Sequence, residues 1–279
     1  MKILILAYDG LDFNLIIKYK LKNILQKING QISVSNFEHL LTPVIWCTFI
    51  TGELPEKHGV KGWWTVSSDS KVDLLFYWIW SRYRSNKVLS RAKLRRILNF
   101  FGIKIMRPDL NFLKRKGLTT IFDLAQKPIA LDVPSYNERM EIRERYSQAI
   151  EKGLTWYENE IWNIHLERKE RLFNELDSDW DLLMAWFDVA DLIQHLYLGR
   201  SSKKIFKVYF ELDKLTHEIL KYSTNDTIIL IISDHGMKLS RTSEPVHREM
   251  AFYSLNKELG WRPIKFTDYA DFIIKTIYK

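Results

Sequence analysis

Thr227-Ile-Ile-Leu-Ile-Ile-Ser-Asp-His-Gly236 is the stretch on which the fold turns. Thr227 and five aliphatic residues run without a polar break, the pattern of a strand buried on both faces. Asp234 and His235 follow, and Gly236 turns the chain. The same phrase, apolar strand then acid, occurs twice more. Ile3-Leu-Ile-Leu-Ala-Tyr8 leads into Asp9-Gly10, and Leu182-Leu-Met-Ala-Trp-Phe187 leads into Asp188, Asp191 and His195. Strands alternating with helices imply an α/β fold with a doubly wound, mainly parallel sheet. Such a sheet collects functional groups beyond the carboxyl ends of its strands.

Between these strands the periodicities are mostly helical. Residues 11–28 have helical spacing, with Asp12 as N-cap, and 31–41 read as a short strand and loop. A helix is expected over 46–51 and a loop over 52–64. Residues 118–125 are expected to be helical, 128–133 a strand and 134–136 a loop. Residues 138–176 form a charged helical tract that Gly153 breaks. Residues 189–198 read as a helix, and 203–222 as an amphipathic helix. A polar loop is expected at 236–246, an edge strand at 250–255 and a last helix at 268–277.

One segment breaks the alternation. Aromatics crowd Phe76-Tyr-Trp-Ile-Trp80, and twelve lysines and arginines follow between Arg82 and Lys116, with Asp109 the only acid among them. Residues 66–118 therefore read as a basic, helical cap insertion, with one helix over 92–101. The core is then 1–65 and 119–279. A basic, aromatic-rich cap suits polyphosphate and a stacked base, nucleic acid, or an anionic membrane surface.

The chain has 279 residues, 46% of them hydrophobic, which supports a sizeable core and excludes disorder as the default. The single Cys47 excludes an intrachain disulfide and suits a reducing compartment. The apolar run before Asp9 is too short for a secretory or membrane-spanning segment, so the expected location is cytoplasmic. The net charge of +8 favours anionic ligands without selecting among them.

The stretch Thr42-Pro-Val-Ile-Trp-Cys-Thr-Phe-Ile-Thr-Gly-Glu-Leu-Pro-Glu-Lys-His-Gly-Val60 sets hydroxyls in an apolar run closed by turn residues. With it, Asp9-Gly10, Asp191…Gln194-His195 and Ser233-Asp-His-Gly236 make four motifs in order. Singly, Asp9 would serve as a helix cap, Asp234-His235-Gly236 as a turn and Thr48 as a residue bonding its own backbone. Together they resemble the type I phosphodiesterase/nucleotide pyrophosphatase branch of the alkaline phosphatase superfamily, over nearly the whole chain apart from about 64–118. The resemblance implies an alkaline phosphatase-like core and two divalent cations. Asp9, Asp234 and His235 would hold one, which also binds the nucleophile Thr48. Asp191, His195 and His247 would hold the other. Mixed carboxylate and imidazole ligands suit zinc, with manganese and iron also compatible.

Asp191 and His195 are four apart, so a helix puts both on one face. Asp188 competes with Asp191 and reads as a partner orienting an imidazole. His58 reads as shaping its loop, and Thr51 as bonding the backbone around Gly52. Many members carry an Asn shortly after the His-Gly pair. Here the segment is Lys61-Gly-Trp-Trp64, so Lys61 and Trp63 are candidate substrate contacts. The expected activity is phosphodiester or pyrophosphate hydrolysis of a phosphate-containing small molecule, such as a nucleotide, through a phospho-threonine intermediate. Phosphomonoesterase and phosphomutase chemistry are alternatives within the superfamily. A non-catalytic protein binding nucleic acid or membrane through the cap is the alternative outside it.

Overall fold

The computed structural model describes residues 1–66 and 105–278. Its centre is a six-stranded sheet of β1 (Lys2–Tyr8), β2 (Ile28–Ser33), β5 (Pro128–Leu131), β6 (Leu182–Phe187), β7 (Thr227–Ile232) and β10 (Met250–Leu255). Their order is β2-β10-β7-β1-β6-β5. Strands β7, β1, β6 and β5 are parallel, and β10 runs antiparallel to both β7 and β2. The sheet is thus the mainly parallel one expected. The strand expected at the edge, 250–255, instead lies second from it, between β2 and β7. Residues 251–255 are buried accordingly.

Helices cover both faces because each central strand is apolar on both. Ile3, Ile5 and Ala7 of β1 join a core with α2 (Thr42–Thr51), α4 (Leu110–Arg115), α5 (Ile121–Leu124) and α10 (Asp268–Ile277). Leu4, Leu6 and Tyr8 join the opposite core. There α1 (Phe13–Tyr19), α6 (Met140–Lys152), α7 (Leu154–Leu176), α8 (Val189–Tyr197) and α9 (Ser202–Leu220) pack.

Local chemistry explains the boundaries. The Asp12 carboxylate accepts the N–H groups of Asn14 and Leu15, capping α1. That helix stops at Lys20, which adopts the left-handed conformation, so it is shorter than the 11–28 expected. Gly153 separates α6 from α7 with φ 115°, a conformation disfavoured for other residues. A short α3 (Pro55–His58) lies in the expected 52–64 loop. The expected 236–246 loop is a hairpin, β8 (Gly236–Leu239) paired antiparallel with β9 (Pro245–Arg248).

Strands β3 (Thr65–Val66) and β4 (Ile105–Met106) pair antiparallel, so the segment between them leaves and re-enters side by side. The expected cap helix at 92–101 and the aromatic run at 76–80 lie outside the described residues. Phe112 and Leu113, at the C-terminal end of the expected insertion, belong to the core. Among the described residues no helix is long and apolar enough to cross a membrane.

Candidate active site

Strand register sets the site. Tyr8 pairs with Phe187, and Ala7 with Ile232. One step and two steps further on, Asp9 falls level with Asp188 on one side and Asp234 on the other. This row stands at the carboxyl ends of the parallel strands, beside β1, where the chain order reverses. Gly10 permits the close fit. Its φ is +68°, and a Cβ there would lie 2.9 Å from Asp191 Cα.

Two ligand trios form beyond the row. In the first, His235 Nε2 lies 3.4 Å from Asp9 Oδ1 and 3.5 Å from Asp234 Oδ2. In the second, Asp191 Oδ1 lies 3.4 Å from His195 Nε2 and 3.6 Å from His247 Nε2. The two imidazole Nε2 atoms of that trio are 3.1 Å apart. The trios touch through the His235 and His247 rings, stacked with centroids 3.7 Å apart.

These groups fit divalent cations. Asp9 Oδ1, Asp234 Oδ2 and His235 Nε2 are buried without a hydrogen-bond partner. Buried acceptors of this kind are costly unless something pairs them. The Nδ1 atoms of His235 and His247 stand 3.1 Å from the Gly236 carbonyl and 2.9 Å from the Leu40 carbonyl. Each Nδ1–H is therefore the donor, and each Nε2 lone pair faces its trio. A tetrahedral shell with bonds of about 2.1 Å has edges of roughly 3.4 Å, close to the spacings above.

The electrostatics agree. Burial, then the charges of Asp234 and Asp191, push the Asp9 carboxyl well above the usual range. Burial would also raise Asp191, but its hydrogen bond with His195 and the neighbouring histidines hold it down to about 2. That bond raises His195 in turn. Burial, with His235 alongside, lowers His247.

Asp188 is level with Asp9 but is drawn away. Arg168, fully buried, bonds it, and the Tyr146 hydroxyl donates to it at 3.1 Å. Among the described residues it orients no imidazole. Arg168 also donates to Asp132 at the end of β5 (3.1 Å), which Arg139 and Arg171 share. This pairing joins residues far apart in sequence and carries no local signal.

Thr48 does not take the place expected of it. It lies two turns into α2, its side chain fully buried, with Oγ1 3.0 Å from His58 Nε2. His58 Nδ1 accepts the Val60 N–H at 3.0 Å, so its proton is on Nε2 and points at Thr48. The imidazole is a donor to this hydroxyl and not a base for it. The pair clamps α2 to the loop carrying Gly59, in keeping with a structural His58. Thr51 donates to the Cys47 carbonyl at 2.7 Å and accepts the Glu53 N–H, bonding the backbone around Gly52.

The hydroxyl at the helix start is that of Thr42. It opens α2, ahead of Pro43, and Leu40 two residues before it accepts the His247 Nδ1–H. The Thr-Pro pair, with proline in the first turn of a helix, was the available sequence signal. Of the candidate substrate contacts, Lys61 is exposed, and Trp63 lies beneath the Arg143 guanidinium, 3.9 Å from its ring centroid.

Burial lowers His58 to about 4. The folded chain therefore stays neutral there while the unfolded chain takes a proton below about 6.5. The stability this contributes is whole above pH 6.5 and is lost as pH falls towards 4, on the order of 3 kcal/mol. Thermal melts should show wild type losing stability more steeply than His58→Gln between pH 6.5 and 4.5. Equal slopes would remove His58 as the acid-sensitive group.

The profile of the type I phosphodiesterase / nucleotide pyrophosphatase family matches residues 3–268. The chain belongs to that family. No curated protein matches it significantly. Among solved structures, phosphonoacetate hydrolase from Sinorhizobium meliloti in complex with phosphonoformate is 13% identical with a TM-score of 0.51, covering 88% of this chain and 59% of that one. Murine ectonucleotide pyrophosphatase / phosphodiesterase 5 is 15% identical with a TM-score of 0.48, covering 87% and 59%. An inactive variant of the murine protein, in complex with AMP, matches with a TM-score of 0.47 at 15% identity, over the same shares. This type I phosphodiesterase family chain thus spans 59% of the length of these solved chains. The fold is the one shared with the phosphonoacetate hydrolase.

Proposed function

We propose that the chain is a two-cation phosphodiesterase or nucleotide pyrophosphatase whose nucleophile is the Thr42 hydroxyl. The observation that carries this is the pair of carboxylate–imidazole trios, with buried inward atoms left unpartnered and with His247 bonded to Leu40, two residues before the first residue of α2. Asp9, Asp234 and His235 would hold one cation and Asp191, His195 and His247 the other, zinc fitting this donor set best. Such cations neutralise phosphoryl charge and lower the pKa of a hydroxyl near them.

The chain's own groups do the positioning. The start of α2 suits phosphate oxygens, since this end of a helix carries its partial positive charge. The His247 bond to Leu40 fixes that helix start against the second trio. Attack by the Thr42 oxygen on phosphorus would expel the leaving alcohol or phosphate and give a phospho-threonine that water then hydrolyses. The substrate class is a phosphate-containing small molecule, with a nucleotide favoured by the family. The basic segment 66–118 would add affinity for such an anion.

Protein supplied with zinc or manganese should hydrolyse bis(p-nitrophenyl) phosphate with a kcat/KM at least tenfold above p-nitrophenyl phosphate and phosphonoacetate. Preference for the monoester, or no turnover with both cations bound, would overturn this reading.

A further inference from the structure

Beneath the two trios runs a chain of buried hydrogen bonds that the proposed chemistry does not use. Its centre is Tyr209, on α9, a helix that supplies no ligand. The Tyr209 hydroxyl accepts the Asp12 N–H at 2.8 Å and donates to Gln194 Oε1 at 3.0 Å. Gln194 Nε2 donates to the Gly10 carbonyl at 2.7 Å and to the Ala190 carbonyl at 3.1 Å. The helix carrying Asp191 and His195 is thereby tied to the turn carrying Asp9.

Asp12 extends the tie to a third segment. Its Oδ1 caps α1, while its Oδ2 accepts the Met237 N–H at 3.2 Å and Arg248 Nε at 2.9 Å. Met237 and Arg248 lie on the two strands of the β8–β9 hairpin, which carries His247. The fit is close: a Cβ on Gly236 would meet Asp12 Oδ2 at 2.5 Å. Burial, with Asp12 alongside, raises the Tyr209 pKa far above its usual value, so the hydroxyl stays a donor.

The two trios depend on these ties unequally. Asp9, Asp234 and His235 follow directly on β1 and β7, paired residue by residue, and the Gly10 N–H bonds Asp234 Oδ1. The second trio joins a helix to a hairpin, which have no strand ladder between them. Tyr209, Gln194, Asp12 and Arg248 bridge that gap.

We infer that the Tyr209–Asp12 bridge is a positioning device that sets the affinity of the Asp191–His195–His247 site for its cation, leaving the Asp9–Asp234–His235 site largely independent. The inference rests on the two-cation reading. It makes Tyr209, Asp12 and Arg248 residues that act through the ligands without touching substrate.

Removing the Tyr209 hydroxyl leaves the Asp12 N–H and Gln194 Oε1 buried without partners, so both must shift. Partners of metal ligands in this position typically alter metal affinity ten- to a hundredfold. The test is cobalt titration of metal-free protein, followed by visible absorption and calorimetry. Wild type should take up two ions. Tyr209→Phe should keep one affinity within about threefold and weaken the other tenfold or more. Arg248→Met, which cuts the hairpin from Asp12 at a partly exposed position, should do the same. A merely structural role would lower the melting temperature and leave the ratio of the two affinities unchanged. That result in the folded variants, or equal weakening at both sites, overturns the inference while two ions in wild type uphold the proposed function. Fewer than two ions in wild type overturns both.

Discussion

Thr42→Ala should lose at least about a hundredfold in kcat while folding and taking up both cations, as loss of a covalent nucleophile requires. Thr42→Ser, which keeps the hydroxyl, should retain part of the activity. Thr48→Ala should behave in the opposite way. Its hydroxyl receives the His58 Nε2–H in the core beneath α2, so turnover should persist. Stability should fall by about 1 kcal/mol, because a buried hydrogen bond is lost. An acid quench during turnover followed by peptide mass spectrometry should place a phosphoryl group on Thr42. Near wild-type turnover by Thr42→Ala, or an adduct on Thr48, would return the nucleophile to the middle of the helix.

Exhaustive chelation should abolish turnover, and zinc or manganese should restore it. The same treatment should lower thermal stability, by about 4 kcal/mol for each site relative to protein held at a thousandfold excess of cation over its Kd. The loss should depend on pH. The Asp9 carboxyl is raised in the folded chain by burial and by Asp234 and Asp191. Without cations the folded chain therefore keeps a proton there that the unfolded chain gives up above about pH 4. Stability from this group is whole below that pH and is lost as pH rises through the folded value. The gain in melting temperature on adding metal should accordingly be larger at pH 8 than at pH 5. Full turnover from protein shown by elemental analysis to be metal-free would end the two-cation reading.

The strands and their ligands were legible because the signal is local. β1, β6 and β7 are unbroken apolar runs, and Asp9, Asp191 and Asp234 follow them within a few residues. Asp12 and Gly153 declared a helix start and a helix break through their own backbone preferences. The helix over 268–277 matches α10 because its apolar spacing and acidic first turn coincide. Thr48 misled because position within a helix depends on where the helix begins. A helix over 46–51 starts too late: Pro43 fits the first turn and moves the start of α2 to Thr42. The β8–β9 hairpin was hidden by polar side chains at its tip. β10 was read as an edge strand because pairing with β2, more than 200 residues earlier, leaves no mark within either segment. Arg168 and Tyr209 are invisible for the same reason: their partners are distant in sequence.

The central place of β1 bears on how the molecule is assembled. This strand precedes the other five of the sheet, yet its two neighbours begin at Leu182 and Thr227. Until the last quarter of the chain exists, the middle of the sheet has a gap on one side. An apolar strand then has to be kept from wrong partners during synthesis. Pairing of β7 with β1 is what sets Asp234 and His235 opposite Asp9. Docking that strand would bring the Asp9–Asp234–His235 trio together, and a cation bound there would fasten two segments far apart in sequence.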